Sequence, residues 1–244
     1  WRKLGRDLWQ RKGAVLSLVV VVAIGVGFFI SMAGVWRDLD GARARYYTEQ
    51  RLADFTLDIK RMPVTALDHV RGAPNVSDLY GRVRVAALLD LPGVEEPVSG
   101  TAISLPEKRR PVLNDVLLRS GTWFSCEDDR QAILNESFAR ENGLQPGDRI
   151  KVLLPDQQHD LLIIGTAMSP EFIYLMPPGG SLAPDPARFG VLYVPEDFLQ
   201  RSADLDGAYN EVVGLAHDDS KQALHNTMEF LSGKLDQYGV LNKI

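Results

Sequence analysis

The strongest pattern along the chain is an uncharged apolar stretch from Gly13 to Trp36, about 24 residues that include Val19-Val20-Val21-Val22 and Phe28-Phe29-Ile30. At ~1.5 Å rise per residue such a helix covers roughly 36 Å, enough to cross a ~30 Å hydrocarbon core with some tilt. A helix packed on a soluble core keeps one polar face, and this stretch has none. The pattern predicts a transmembrane helix over 13–36. Cleaved signal peptides have a shorter apolar core, so a retained anchor is expected. Before it, Trp1, Leu4 and Leu8 recur at helical spacing with Arg2, Lys3 and Arg6 on other faces. Residues 1–12 therefore read as an interfacial helix with Trp9 at headgroup level, or as an ordinary basic flank. After the span, 37–50 continues without Pro and reads as a stalk helix. Ala23, Gly27 and Ser31 share one face of the span and form a candidate helix-packing seam.

Beyond residue 50 the period changes. Asp54–Lys60 alternates polar and apolar and predicts a strand, and Pro63 opens a short helix to about Val70. Val76–Leu91 reads as one long strand, turned at Pro92-Gly93 into a second, Pro97–Leu105. Further strands are expected at Gln131–Asn135, Arg149–Leu154 and Asp160–Ala167, the last two as a hairpin, with a short helix at Glu136–Asn142. Pro170–Gly190 is rich in Pro and Gly and too long for an ordinary connection. A strand at Val191–Val194, a helix at Pro195–Ser202 and a strand at Glu211–Ala216 follow. A closing helix after Ser220 carries Leu224, Met228, Leu231, Leu235 and Tyr238 as a core stripe. No internal repeat is visible in the sequence.

Charge narrows the function classes. Residues 1–12 carry a net +4, which the positive-inside rule places in the cytoplasm. The total is −5, so residues 37–244 hold −9. That excludes a basic nucleic-acid footprint and suits a domain outside the cytoplasm. The single Cys126 allows no intramolecular disulfide. His69, His159, His217 and His225 lack metal-ligand spacing and read as surface or turn residues. There is no GxSxG and no GxxxxGK[ST], so no catalytic, metal or cofactor site is expected. Asn75-Val76-Ser77 and Asn135-Glu136-Ser137 match the glycosylation sequon, a pattern common by chance. Trp1 in place of an initiator Met leads us to expect a fragment of a longer chain.

The order of parts, with Leu134-Asn135-Glu136-Ser137-Phe138-Ala139, Asn142-Gly143-Leu144-Gln145-Pro146-Gly147-Asp148 and Ile164-Gly165, resembles an FtsX-like ABC transporter permease with a MacB-like periplasmic core domain. Ser169-Pro170-Glu171-Phe172-Ile173-Tyr174, Pro184-Asp185 and Phe189-Gly190-Val191-Leu192 carry the same resemblance. It implies an α+β fold in which a porter-like β-α-β part, 51–96 with 191–244, holds a strand-rich insert, 97–190. It also implies a bacterial cytoplasmic (inner) membrane location and a cytoplasmic ABC ATPase as partner. A second permease half or a second copy would complete the assembly, and further spans would follow a last helix that ends near Ile244. The expected function is transmission of ATP-driven motion for export or extraction of a peptide, lipid or lipoprotein. A single-span sensor or adaptor is the alternative reading, and an anchored hydrolase is disfavoured for want of a site. Phe172, Ile173, Tyr174 and Met176 are the candidate contact residues; the competing reading has Phe172 and Tyr174 packing the loop onto the insert.

Overall fold

The computed structural model describes residues 12–91, 93–94, 96–125, 128–155, 157–173, 175 and 185–244. The expected helix over residues 1–12 and the thiol of Cys126 lie outside those residues, except for Lys12. The chain divides into two compact units, residues 1–49 and 50–244.

Among the described residues, the first unit is one helix, α1 (Lys12–Glu49). The expected span and stalk are thus a single uninterrupted element, as the lack of Pro allows. Its mean hydropathy reaches 2.6, and it is long and apolar enough to cross a membrane.

The second unit is α+β. In chain order it runs β1 (Phe55–Pro63), α2 (Ala66–Val70), β2 (Val76–Arg82), β3 (Arg84–Asp90), β4 (Val98–Leu105), β5 (Leu117–Gly121), β6 (Gln131–Asn135) and α3 (Glu136–Glu141). There follow β7 (Arg149–Leu154), β8 (Gln157–Met168), β9 (Phe189–Pro195), α4 (Glu196–Ser202), β10 (Ala208–Ala216), α5 (Lys221–Leu235) and β11 (Val240–Lys243).

Two sheets share these strands. The smaller has the order β11-β1-β10-β2 and is antiparallel throughout. With α2 and α5 it makes a split β-α-β-β-α-β unit. Leu57, Val212, Leu231 and Leu235 are buried in its core. The opposite face carries Tyr80 and Val213, packed against Leu113 and Val112. The larger sheet has the order β5-β8-β6-β9-β4-β3-β7, and β7 also pairs with β8. Six strands therefore close into a barrel with β5 as an outer strand, which removes most exposed edges.

The barrel is inserted between β2 and β10. The stretch expected as one strand over 76–91 is broken at Val83, where the chain leaves one sheet for the other. Val83 N–H donates to Ser104 Oγ (2.8 Å) and Ser104 N–H donates to Val83 O (2.9 Å). Arg84 N–H donates to Asn210 Oδ1 (2.8 Å), and Asn210 Nδ2 donates to Arg84 O (2.8 Å). The sequence division placed residues 84–96 and 191–202 with the porter-like part, but β3 and β9 pair within the barrel. An apolar run buried along its whole length, as β9 is, does not reveal which sheet it joins.

The barrel also contains a topological duplication that the sequence conceals. β3-β4-β6-α3 and β7-β8-β9-α4 follow the same path. β3·β4 and β7·β8 are antiparallel, while β4·β9 and β6·β8 are parallel. The halves meet where Leu88 pairs with Leu153 and where Ile133 pairs with Tyr193. Arg84-Val85-Ala86-Ala87-Leu88-Leu89 is echoed by Arg149-Ile150-Lys151-Val152-Leu153-Leu154, and Glu136-Ser137-Phe138 by Glu196-Asp197-Phe198. The hairpins differ in length and the β6·β8 ladder carries a bulge that β4·β9 lacks, so no fixed spacing survives.

The end of the chain corrects one expectation. The last helix stops at Leu235; Asp236–Tyr238 is a single 3₁₀ turn, and Gly239 adopts φ 74°. That left-handed residue ends the helix. β11 then runs back along β1, so the helix does not continue to Ile244. A strand of four residues is too short for its alternation to be read.

Gly214 faces Phe55 across β1 and β10, and a Cβ placed on it would stand 2.1 Å from the Phe55 ring. Gly214→Ala should cost about 1–3 kcal/mol through overpacking. Urea unfolding should show a lower midpoint, partly restored by adding Phe55→Leu.

Candidate functional site

The chemistry of this domain gathers where the barrel meets the small sheet. Arg82, the last residue of β2, lies opposite Glu211 of β10 in register. Both side chains are buried, Arg82 at 1% exposure and Glu211 at 1%. Arg82 Nε donates to Glu211 Oε2. Its Nη1 and Nη2 donate side by side to Glu171 Oε2 (2.7 Å) and Oε1 (2.6 Å). Arg84 Nη1 donates to the other oxygen of Glu211 at 3.0 Å. Two guanidinium groups and two carboxylates thus close a neutral set, the condition under which buried charge is tolerated.

Burial opposes the charges of Arg82 and Glu211. It would lower the Arg82 guanidinium, but Glu171 and Glu211 hold it well above its ordinary value. It would raise the Glu211 carboxyl, but Arg82 and Arg84 hold it below the usual carboxylate range.

Glu171 brings a loop with it. Ser169 caps a single turn, Pro170–Phe172, by accepting from Glu171 N–H at 3.3 Å. Pro170 and Leu175 are buried. Phe172 is half-buried beneath Arg84, whose guanidinium carbon lies 5.7 Å from the ring centroid. Ile173 is 39% exposed. Asp185 N–H donates to Leu175 O at 3.0 Å. Of the four expected contact residues, Phe172 adjoins the ion set through Arg84, and Ile173 follows it in the chain as an exposed residue. Tyr174 and Met176 lie outside the described residues, as does the run 176–184.

A second loop, following β4, reaches the same sheet face. Its Asn114 is 2% exposed and adopts φ 52°. Asn114 N–H donates to Arg51 O (2.9 Å), Ala53 N–H donates to Asn114 Oδ1 (2.7 Å), and Asp115 N–H donates to Gln50 O (2.9 Å). The first residues of the domain are therefore clasped. β4 and β8 are counterparts in the duplicated barrel, so both clamping loops leave equivalent strands. Beside Arg84 a cleft of about 450 Å³ opens, lined by Asp58, Arg84, Thr101, Asn210, Leu241 and Ile244.

Sequence reasoning missed Arg82, Arg84 and Glu211. The available signal was Glu211 standing directly before Val212-Val213 inside an apolar strand, with Arg82-Val83-Arg84 at a strand break. Neither says which residues meet. Ala23, Gly27 and Ser31 all lie on α1, with Ala23 and Ser31 exposed and open space beside Gly27. His159 is not a surface or turn residue: it sits in β8, half-buried, edge-on to Phe198 at 5.1 Å. Among the described residues no three His, Cys, Asp or Glu side chains converge as a metal site requires.

No known family profile matches the chain, and no curated protein matches it. Solved structures with similar folds are found. The extracellular domain of the noncanonic ABC-type transporter YknZ from Gram-positive bacteria is 15% identical, with TM-score 0.42, over 77% of this chain and 100% of that one. The periplasmic region of MacB from Actinobacillus actinomycetemcomitans is 11% identical, with TM-score 0.46, over 78% and 87%. A domain of a putative permease protein from Porphyromonas gingivalis is 12% identical, with TM-score 0.37, over 75% and 84%.

Removing one member of the buried set should be costly. Arg82→Met or Glu211→Gln should lose about 3–5 kcal/mol in urea unfolding, because each leaves a buried charge without its partner. Glu211 is held below its unfolded value, so its stabilisation is present above the ordinary glutamate range of ~4.3 and is lost as pH falls through the lower folded value. Wild-type stability should fall on acidification in that window, and Glu211→Gln should flatten this part of the profile.

Proposed function

We propose that this chain is part of the permease subunit of an ABC transporter. In this reading α1 anchors it in the bacterial inner membrane with the N-terminus cytoplasmic, and residues 50–244 form an extracytoplasmic domain. One observation carries the reading. Thr56 N–H donates to Ile244 O at 2.7 Å and Ile244 N–H donates to Thr56 O at 3.0 Å. β1 and β11 are neighbours, so Thr56 and Ile244 lie together at one end of one sheet. That arrangement suits a domain carried by membrane spans at both ends.

The split β-α-β-β-α-β unit is then the porter-like part, the barrel its insert, and the pair of ends the mechanical input. ATP hydrolysis resides in a separate cytoplasmic ATPase, and this chain has no catalytic role. The work delivered is export or extraction of a peptide, lipid or lipoprotein, and a second copy or a second permease half completes the machine. Ala23, Gly27 and Ser31 form the seam for a neighbouring span. Phe172, Ile173, Tyr174 and Met176 form the contact with substrate or partner. The motif resemblance around Asn135 supports the reading: Asn135 Oδ1 caps α3 by accepting from Ser137 N–H (2.9 Å) and Phe138 N–H (3.4 Å).

The full-length protein should copurify with a cytoplasmic ABC ATPase and stimulate ATP turnover in membranes; purification alone, with no ATPase, would sink the proposal. Phe172→Ala with Tyr174→Ala should abolish export while leaving the unfolding midpoint unchanged. A collapsed midpoint would instead assign both rings to packing.

A further inference from the structure

We propose that Arg82 and Arg84 form a carboxylate socket whose resident occupant, Glu171, exchanges with an acidic side chain of an extracytoplasmic protein partner. Three observations carry this. The first is the unequal burial of the set. Arg82 and Glu211 belong to neighbouring strands and their side chains are 2% and 1% exposed, whereas Glu171 is on a loop and 15% exposed. Opening the loop removes one carboxylate and nothing else from the set.

The second is charge. With Glu171 in place, two guanidinium groups face two carboxylates. Without it, Arg82 and Arg84 face Glu211 alone, leaving an uncompensated positive charge that was buried. The loop therefore leaves more readily when another anion replaces its carboxylate. The side-by-side donation from Nη1 and Nη2 suits the planar fork of a carboxylate.

The third is access. Arg84, 36% exposed, lies over the Phe172 ring, which departs with Glu171, and the cleft beside Arg84 already opens onto that guanidinium from the side of Asp58 and Asn210. An arriving Asp or Glu side chain would therefore enter where the loop lifts, and the aromatic and apolar loop residues would be released at the same moment. The site becomes a switch, in which partner engagement exposes Phe172. The partner's identity rests on the reading of this loop as a contact; the socket itself does not.

Acetate serves as the probe. In the full chain, Glu171→Ala should unfold at a lower temperature than wild type. Acetate, compared with chloride at equal ionic strength, should raise that temperature saturably. Wild type, whose socket Glu171 already fills, should respond far less, and the double variant Glu171→Ala with Arg82→Met should not respond. Equal responses in all three proteins, or none in any, would overturn the socket, and rescue by phosphate but not acetate would overturn its carboxylate selectivity. Wild-type hydrogen exchange needs no folded variant: acetate should speed exchange at residues 171–173 while β2 and β10 stay protected. Unchanged exchange would count against displacement. In either case copurification of an ATPase reports separately on the permease reading, so the two ideas can fail independently.

Discussion

The guanidinium of Arg82 is the constraint around which the domain is arranged. A buried cation must be paired with opposite charge and have its remaining donors hydrogen-bonded. Here one comes from the neighbouring strand of the small sheet and the other from a loop of the barrel. The charge therefore fixes how the inserted barrel sits on its host. Hydrophobic burial is non-directional and would tolerate sliding between the two; a bidentate Arg–carboxylate pair at 2.6–2.7 Å does not.

The duplicated barrel explains why two loops reach that face. β4 and β8 are counterparts, and the segments leaving them both turn toward the small sheet. One contributes Asn114 and Leu113, the other Glu171 and Phe172. Their chemistry has diverged: the first holds backbone groups and apolar side chains, the second holds charge. A symmetric scaffold thus supplies one permanent clasp and one built on ions, which solvent or another anion can contest.

Much of the local structure was legible because local physics decides it. The apolar run of α1, the Asn135 cap before α3, and the alternation of Ile150, Val152 and Leu154 in β7 each act within a few residues. What was hidden depends on partners far along the chain. Val76–Leu91 reads as one strand because each half alternates, and only Ser104 and Asn210 reveal the change of sheet at Val83. The candidate loop was visible from Phe172 and its Pro and Gly neighbours, but Arg82 and Glu211 stand 89 positions and 40 positions from Glu171 in the chain. No periodicity connects them. β11 was missed for a different reason, since four residues at a sheet edge carry too little pattern.

The clasp at Asn114 has a consequence for proteolysis. A protease needs a segment of backbone free to extend into its cleft. At the start of this domain the carbonyls of Gln50 and Arg51 and the amide of Ala53 are already taken, and Asp54 N–H donates to Gly214 O at 2.8 Å. Cleavage within residues 50–54 therefore has to wait for the clasp to open.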